Sequence, residues 1–268
     1  MTAPSLAAVD LLVGYRATRR ATVVADVGTI EVRPGELVCL LGPNGVGKST
    51  LLRTLAALQR PLRGAVLVDG RDASALGARG VARHVAAVLT ERASTGRLTA
   101  RQVVELGRYP YTNWYGALRS CDHAVVDAAL DAVDATPVAD SVATELSDGW
   151  RQRVMIARAL AQEPDVLLLD EPAAFLDLGA RLDVVELLRV LTAQRRIAVV
   201  LATHDVELAV RSADTLWLVG RDGVLHAARP QDAVDHGILE RAFGATNWRF
   251  DAATGRVTFA SSDTRWYR

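Results

Sequence analysis

A glycine-rich segment that ends in lysine and serine is the part of the chain best suited to chemistry. Residues 42–49 read GPNGVGKS, which fits the pattern G-x-x-x-x-G-K-[ST] of a phosphate-binding loop. Glycines let the backbone curl so that successive N–H groups face inward, and the start of the following helix adds partial positive charge. The residues expected to contact nucleotide phosphates are Gly42, Pro43, Asn44, Gly45, Val46, Gly47, Lys48, Ser49 and Thr50.

Lys48 is the only lysine among the 31 lysine and arginine residues of the chain. The scarcity of lysine elsewhere is typical of a genome-wide compositional bias. At this position a compact ammonium on a flexible stem reaches the β- and γ-phosphates, whereas the planar fork of arginine would not fit the closed loop. We therefore expect Lys48 to act catalytically and the hydroxyl of Ser49 to bind Mg²⁺. The alternative is a glycine-rich turn with a solvated lysine.

Two adjacent carboxylates stand at the end of an apolar run further along the chain. The segment DVLLLDEP at residues 165–172 is typical of a buried strand that ends in Asp170 and Glu171. Asp170 would lie at the C-terminal edge of that strand and hold the water shell of a metal ion. Glu171 would face the attacking water as a general base. The segment therefore predicts hydrolysis of a nucleotide rather than binding alone.

A second helix start precedes these carboxylates. Residues 146–162 read LSDGWRQRVMIARALAQ, in which Ser147 is the expected N-cap of an amphipathic helix and Gly149 allows close backbone approach. This is a second anion-binding helix N-terminus. One chain does not need two such sites for one nucleotide, but a head-to-tail pair of chains does.

Composition and charge limit the classes of function. The chain has 268 residues and a formal net charge of zero. The absence of a basic run argues against nucleic-acid binding. The two cysteines, Cys39 and Cys121, indicate no disulfide framework. The N-terminus has no signal-peptide pattern, and no apolar run approaches the roughly 18 residues that a membrane span requires. We therefore expect a cytosolic protein without direct membrane insertion.

The order of the predicted elements indicates an α/β fold. Segments 8–15 and 22–32 alternate as half-exposed strands do, and later strand-like and helix-like runs alternate as in a mainly parallel sheet covered by helices. Residues 91–163 are mainly helical and are predicted to form an inserted subdomain. We predict an ATPase domain over residues 1–245 and an extension over 246–268, with a hairpin at 247–260.

Together these segments resemble the ATPase subunits of ATP-binding-cassette (ABC) transporters over roughly residues 8–245. The sequence LSDGW stands where that family usually has LSGGQ, FLD with Asp177 is similar to its D-loop, and ATHD with His204 is similar to its switch-histidine segment. Tyr15 matches the aromatic residue that stacks on adenine. The D-loop, helical insert and signature together exclude kinases and GTPases.

The resemblance implies a P-loop NTPase of ABC type with a mainly parallel core sheet, an N-terminal antiparallel β-subdomain and an inserted helical subdomain. It also implies that ATP and Mg²⁺ are bound between the two chains of a homodimer. Catalysis would depend on Lys48, Glu171 and His204, and the metal would contact Ser49, Glu91 and Asp170. The partner subunit would contribute Ser147, Asp148, Gly149 and Asp177.

Three residues depart from the pattern of the family. Glu91 occupies the position of the usual glutamine; a carboxylate is a competent Mg²⁺ ligand but adds negative charge near the phosphates. The alternative for Glu91 is a solvated loop acid. Asp148 replaces a glycine and is expected to turn its side chain away from the phosphate. Trp150 replaces the usual glutamine. Two matched residues have plainer alternatives: Tyr15 as an ordinary strand aromatic and His204 as a helix cap.

The helical insert and the tail resemble importers for siderophore iron, haem or cobalamin. The segments that carry this resemblance are 103–116, with VVELGRYPYTNWYG, and 239–256. It implies transmembrane permease subunits, a substrate-binding protein behind them, and a peripheral position on the cytoplasmic face of the membrane. Iron–siderophore is the first expectation for the cargo. The alternatives are another importer, an exporter and a soluble non-transport ABC ATPase. The aromatic residues of segment 103–116 would either line a groove that binds the permease or form a local packed cluster. They are Tyr109, Tyr111, Trp114 and Tyr115.

Overall fold

Two β-sheets and a group of inserted helices position the chemistry-bearing segments. The computed structural model describes residues 3–16, 20–90, 95–174, 176–244, 248–251 and 254–259. Its strands are β1 (Leu6–Arg16), β2 (Ala21–Val32), β3 (Leu37–Leu41), β4 (Arg63–Val68), β5 (Arg71–Asp72), β6 (Val85–Val88), β7 (Val166–Asp170), β8 (Ala198–Ala202), β9 (Thr215–Val219), β10 (Leu225–Ala228), β11 (Trp248–Asp251) and β12 (Arg256–Phe259). Its α-helices are α1 (Lys48–Leu55), α2 (Ala73–Val81), α3 (Ala100–Glu105), α4 (Ser120–Asp131), α5 (Asp148–Leu160), α6 (Leu178–Arg195), α7 (Val206–Ser212), α8 (Pro230–Asp235) and α9 (Ile238–Phe243).

The larger sheet has the strand order β10-β9-β3-β8-β7-β6. All its neighbouring strands run parallel except β9 and β10. Every residue of β3, β7 and β8 is buried, as expected for strands that are covered on both faces. The C-terminal ends of these three central strands lie side by side, which is the edge where open α/β sheets bind ligands.

The N-terminal strands form a separate antiparallel sheet in the order β2-β1-β4-β5. This sheet and α1 pack on one face of the larger sheet, where Val38 and Leu40 of β3 point. Cys39 and Leu41 of the same strand point to the opposite face, as the two-residue period of a strand requires. Burial raises the pKa of the Cys39 thiol to about 12, so this cysteine is a core residue. The predicted combination of a mainly parallel sheet and an antiparallel N-terminal sheet is confirmed.

The helical insert lies between β6 and β7 and contains α3, α4 and α5, with a 3₁₀ helix at Leu106–Tyr111. The helices pack through aliphatic side chains, among them Val103, Val126 and Ile156. A buried ion pair of 3.0 Å joins Arg108 to Asp122. The insert is therefore a packed unit that carries the start of α5. The sequence boundaries of this subdomain at residues 91 and 163 remain predictions.

The tail contains the antiparallel pair β11–β12, which lies in the segment expected to form a hairpin. Its buried Phe250 belongs to the main core, and Val257 packs against that core. The hairpin is thus joined to the ATPase core, and the division of the chain at residue 245 remains a prediction. In the described ranges, none of the helices combines the length and the apolar character needed to cross a membrane.

Candidate nucleotide site

The loop between β3 and α1 has the backbone of a phosphate cradle. Gly42, Gly45 and Gly47 all have positive φ angles, of 156°, 80° and 106°. At Gly47 a Cβ atom would lie 2.1 Å from Cγ1 of Val24, and at Gly42 it would lie 2.5 Å from the carbonyl oxygen of Val219. Glycine is required at both positions by close packing as well as by φ. Since α1 begins at Lys48 with Gly47 as its N-cap, no cap side chain covers its first N–H groups.

Lys48 is held at the mouth of this loop. Its side chain is buried, and Nζ donates hydrogen bonds to the carbonyl oxygens of Gly42 at 2.8 Å and Pro43 at 3.3 Å. Burial lowers the pKa of Lys48, and the charges of Glu171 and Asp170 oppose that shift. The ammonium is therefore preorganised beside the loop, close enough to the two carboxylates to interact with them.

The carboxylates lie at the end of β7. Asp170 is the last residue of the strand and is 4% exposed. Glu171 follows with φ of 51°, an unusual backbone conformation for a residue with a Cβ atom, and its N–H donates to the carbonyl oxygen of Ala202 at 3.0 Å. This backbone conformation turns Glu171 away from β7 and toward the end of β8, where Ala202 lies. Asp170 and Glu171 therefore have different surroundings.

His204 approaches Glu171 from the end of β8. Its Nδ1 lies 3.7 Å from Oε2 of Glu171, and about half of the imidazole is exposed. The helix-cap alternative for His204 is wrong because the N-cap of α7 is Asp205, whose Oδ1 accepts a hydrogen bond from the N–H of Leu208 at 3.0 Å. The histidine is consequently available for a contact in the site.

Tyr15 of β1 lies beside the phosphate loop. Its hydroxyl is 2.8 Å from Oγ1 of the buried Thr50 in α1, and 54% of the residue is exposed. One edge of the side chain is thus fixed to the helix that follows the loop. Such a residue is available for stacking, and its contact with adenine stays a prediction.

The start of α5 has the predicted cap and an unexpected ion pair. The N–H of Trp150 donates to Oγ of Ser147 at 3.4 Å, and Ser147 is the N-cap. Oδ1 of Asp148 lies 2.6 Å from one guanidinium nitrogen of Arg151, and the other terminal nitrogen donates to the carbonyl oxygen of Leu146 at 2.7 Å. Asp148 is therefore turned toward its own helix. Next to it, the ring of Trp150 faces the guanidinium of Arg153 at 5.9 Å.

A cleft of about 540 Å³ separates the helical insert from the core sheet. Asp148 and Arg151 line its helical side, whereas Asp170 and Glu171 line its core side. Thr90, which the sequence did not single out, also lines it and donates a hydrogen bond to the carbonyl oxygen of Asp170 at 3.2 Å. The only sequence signal for Thr90 is its position directly before Glu91.

Two predicted site residues stand apart from these contacts. Glu91 lies outside the described residues. Asp177 is the N-cap of α6, where its Oδ1 accepts a hydrogen bond from the N–H of Ala180 at 2.9 Å. Its carboxylate therefore has a structural role within the chain in addition to any role across an interface.

The donor set fits a magnesium ion that is held mainly by nucleotide and water. Among the described residues no cluster of three or more His, Cys, Asp or Glu side chains is placed to hold a metal. The sequence predicts two protein donors in the described part of the site, the hydroxyl of Ser49 and the carboxylate of Asp170. Mg²⁺ commonly takes one or two protein ligands and fills its remaining positions with phosphate and water oxygens.

Comparisons with known proteins agree with this geometry. The family model described as ABC transporter matches residues 26–174. An uncharacterized ABC transporter ATP-binding protein of Methanocaldococcus jannaschii is 39% identical over 233 residues, covering 87% of this chain and 80% of that protein. An achromobactin transport ATP-binding protein of Dickeya dadantii is 36% identical over 234 residues, covering 87% and 86%. A cobalamin import ATP-binding protein of Halobacterium salinarum is 42% identical over 238 residues, covering 88% and 59%.

Solved structures show the same fold. An ABC transporter assigned to the metal-chelate type, in an inward-facing conformation, has a TM-score of 0.77 at 27% identity and covers 90% of each chain. A bacterial ABC transporter cassette with a dimeric structure has a TM-score of 0.72 at 25% identity and covers 84% of this chain and 98% of its own. The chain therefore belongs to the ABC transporter family, in which it is an ATP-binding subunit that hydrolyses ATP.

Proposed function

We propose that this ATPase powers uptake of a metal chelate through a membrane permease. The observation that carries the hydrolytic part is the meeting of Lys48, Asp170, Glu171 and His204 at one edge of the central sheet. The import part is supported by relatives named for achromobactin transport and cobalamin import. An iron–siderophore complex is the proposed cargo, with haem or cobalamin next. The alternative that this ATPase powers an exporter has no comparable support among these relatives.

Each residue has a distinct part in the proposed reaction. The N–H groups of the phosphate loop bind the β- and γ-phosphates, and Lys48 exchanges its contacts with the carbonyl oxygens of Gly42 and Pro43 for phosphate oxygens. Glu171 orients the attacking water and accepts its proton, and His204 contacts the γ-phosphate. A bound Mg²⁺ would supply positive charge that offsets the negative charge of the phosphates. Ser49 and Asp170 would hold it, with Glu91 as the proposed third ligand.

The proposed active assembly is a head-to-tail homodimer. In it, the start of α5 in one chain, Ser147 to Gly149, would contact the nucleotide bound to the phosphate loop of the other, and Asp177 would lie at the interface. The exposed apolar residues Leu178 and Leu182 support this, since they follow Asp177 on α6 and are 70% and 49% exposed. The dimeric cassette of similar fold gives a precedent. ATP closes the pair because its γ-phosphate makes contacts with both chains.

The proposed permease contact lies on the outer part of the helical insert. Tyr109, Trp114 and Tyr115 are strongly exposed, as residues that receive a permease segment would be. Tyr111 differs from them: its hydroxyl donates to the carbonyl oxygen of Gln162 at 2.8 Å, and its ring lies 4.1 Å from the guanidinium of Arg108. Tyr111 thus packs locally within the helical insert, which is the alternative to lining a permease-binding groove. Attachment through a permease would place the chain on the cytoplasmic face of the membrane, with a substrate-binding protein on the other side.

Replacement of the general base tests the hydrolytic mechanism. Glu171→Gln is expected to lower phosphate release with Mg²⁺ and ATP by at least about 100-fold, because the amide accepts no proton at neutral pH. The same variant is expected to form an ATP-dependent dimer measurable by light scattering. Glu186→Gln, at an exposed position of α6, is the matched control. Hydrolysis at the parent rate by Glu171→Gln would remove the residue from this role.

The cargo is tested with the complete transporter. The chain is purified with its permease, reconstituted in vesicles and supplied with a substrate-binding protein and ferric siderophore, haem or cobalamin. Stimulated ATP hydrolysis and inward movement of the ferric siderophore are the expected results. Stimulation by haem or cobalamin alone would replace the proposed cargo, and outward movement would establish an exporter.

A further inference from the structure

Arg181 connects two parts of the site that the sequence does not link. It lies in the first turn of α6, four residues after Asp177. One guanidinium nitrogen donates to the carbonyl oxygen of Leu176 at 3.4 Å, and the other lies 3.3 Å from Oδ2 of Asp205. Leu176 directly precedes Asp177, and Asp205 directly follows His204. Arg181 therefore contacts the neighbours of both residues at once.

These contacts complete a continuous loop of interactions around the general base. The carbonyl oxygen of Glu171 accepts a hydrogen bond from the N–H of Ala174 at 3.2 Å, and the carbonyl oxygen of Ala173 accepts one from the N–H of Leu176 at 3.2 Å. On the other side, Nδ1 of His204 lies 3.7 Å from the carboxylate of Glu171. The guanidinium of Arg181 spans the remaining gap between Leu176 and Asp205. A displacement of the segment before Asp177 would consequently be passed to the residue beside His204.

We propose that Arg181 is a positioning residue, through which the placement of Asp177 at the dimer interface fixes the position of His204 at the γ-phosphate. The inference rests on the proposed function, because Asp177 is placed at the interface only in the proposed dimer. It assigns to one side chain the link between dimer closure and the hydrolytic centre. Nucleotide binding to the phosphate loop does not involve this residue.

The chemistry of the side chain fits a geometric role better than a stabilising one. The side chains of Arg181 and Asp205 are 27% and 26% exposed, so the ion pair is partly buried, and the cost of desolvating two charges offsets much of their attraction. Arginine supplies several donors in a fixed planar fork, which lets one group bind a carbonyl oxygen and a carboxylate in defined directions. A lysine would supply the charge without this geometry.

Kinetics of Arg181→Gln test the proposal. We expect kcat for ATP hydrolysis to fall about tenfold through misplacement of His204, while KM for ATP stays within about twofold and the midpoint of thermal unfolding within about 4 °C. Arg189→Gln is the matched control, since Arg189 also joins α6 to α7 but donates to the carbonyl oxygen of Ser212 at the far end of α7, at 2.9 Å. The control is expected to keep the parent kcat.

A second variant removes the ion pair from the other side. Asp205→Asn keeps an N-cap for α7, because asparagine caps helices as well as aspartate does, but it loses the charge that Arg181 contacts. Its effect on kcat is expected to match that of Arg181→Gln, and the double variant is expected to be no slower than either single one. Arg181→Lys is expected to recover only part of the rate. Because these variants perturb the fold differently, misfolding of one leaves the others decisive.

The position of His204 is read directly by NMR. Its imidazole resonance is identified as the one that His204→Ala removes among the five histidines. We expect this resonance to shift in Arg181→Gln and to stay unchanged in Arg189→Gln. An unchanged resonance together with a parent kcat would overturn the proposal, as would a purely KM effect. Failure of the proposed function has a different signature, because Glu171→Gln would then form no ATP-dependent dimer. The inference alone fails when that dimer forms and Arg181→Gln hydrolyses ATP normally.

Discussion

The phosphate loop and the start of α5 are both helix N-termini suited to an anion, but they are supported in different ways. The loop is enclosed by its own chain: Val24 and Val219 pack against Gly47 and Gly42, and Lys48 is 6% exposed. At the start of α5, Ser147 and Asp148 are exposed, and a Cβ atom at Gly149 would have no neighbour within 4 Å. One site is finished within a single chain, whereas the other has open space in front of it.

This difference indicates where regulation enters. A preorganised loop binds nucleotide without a partner, because the cost of ordering it is already met in folding. In the proposed dimer, the open helix start gains its contact only when a second chain brings a phosphate to it. In the proposed dimer, the presence of the γ-phosphate therefore controls assembly rather than nucleotide binding.

Lys48→Arg makes the largest expected change on the enclosed side. The guanidinium is too broad for a position where Nζ lies 2.8 Å from the carbonyl oxygen of Gly42, so we expect phosphate release to fall by about 100-fold or more. The measurement is steady-state ATP hydrolysis at saturating Mg²⁺. Near-parent hydrolysis by this variant would mean that arginine can replace Lys48 and that the reaction does not require a lysine at this position.

Alanine substitutions at Gly47 and Gly149 test the difference between the enclosed phosphate loop and the open start of α5. Gly47→Ala combines a φ of 106° with a clash against Val24, so the free energy of unfolding should fall by about 1–3 kcal/mol and nucleotide binding should be lost. Gly149→Ala lies in the first turn of α5, where alanine is the better helix former by up to about 1 kcal/mol. It should leave folding and nucleotide binding of the single chain intact and weaken only the ATP-dependent dimer. Denaturant titration, nucleotide titration and light scattering measure the three quantities, and equal losses in both variants would contradict the contrast.

The ion pair at the start of α5 gives the smallest expected effect. Arg151→Gln removes a cation that pairs with Asp148, so the carboxylate would be less well compensated and would repel the phosphate of the opposing site in the proposed dimer more strongly. We expect the ATP-dependent dimer to weaken by about three- to tenfold at low salt and less at high salt, since screening reduces repulsion between exposed charges. Asp148→Asn in the same chain should restore dimerisation. A defect that the second substitution does not relieve would instead point to the contact between Arg151 and Leu146.

Particular residues show how far the sequence reaches. The curled glycine-rich loop, the buried strand before Asp170 and the N-cap at Ser147 follow from local chemistry, and each was predicted. The helix cap at Asp205 was not, because His204 and Asp205 are adjacent and either type of side chain can stand before a helix. Tyr111 also differs from its aromatic neighbours for a reason that spacing does not contain. Arg108 belongs to the same 3₁₀ helix, but the carbonyl oxygen of Gln162, which accepts the hydrogen bond of the Tyr111 hydroxyl, lies 51 residues further along the chain.

Local sequence is enough to identify the kind of chemistry, since glycine conformations, helix starts and apolar strand runs depend on residues close together in the chain. It thereby fixed the phosphate loop, the pair of carboxylates and the histidine as separate elements. Their meeting at one site depends instead on how distant strands pair. The order β3-β8-β7 brings the ends of three distant strands together, and Glu171, His204 and Arg181 become neighbours through that pairing. Long-range hydrogen bonding between strands sets this order, and no local pattern encodes it.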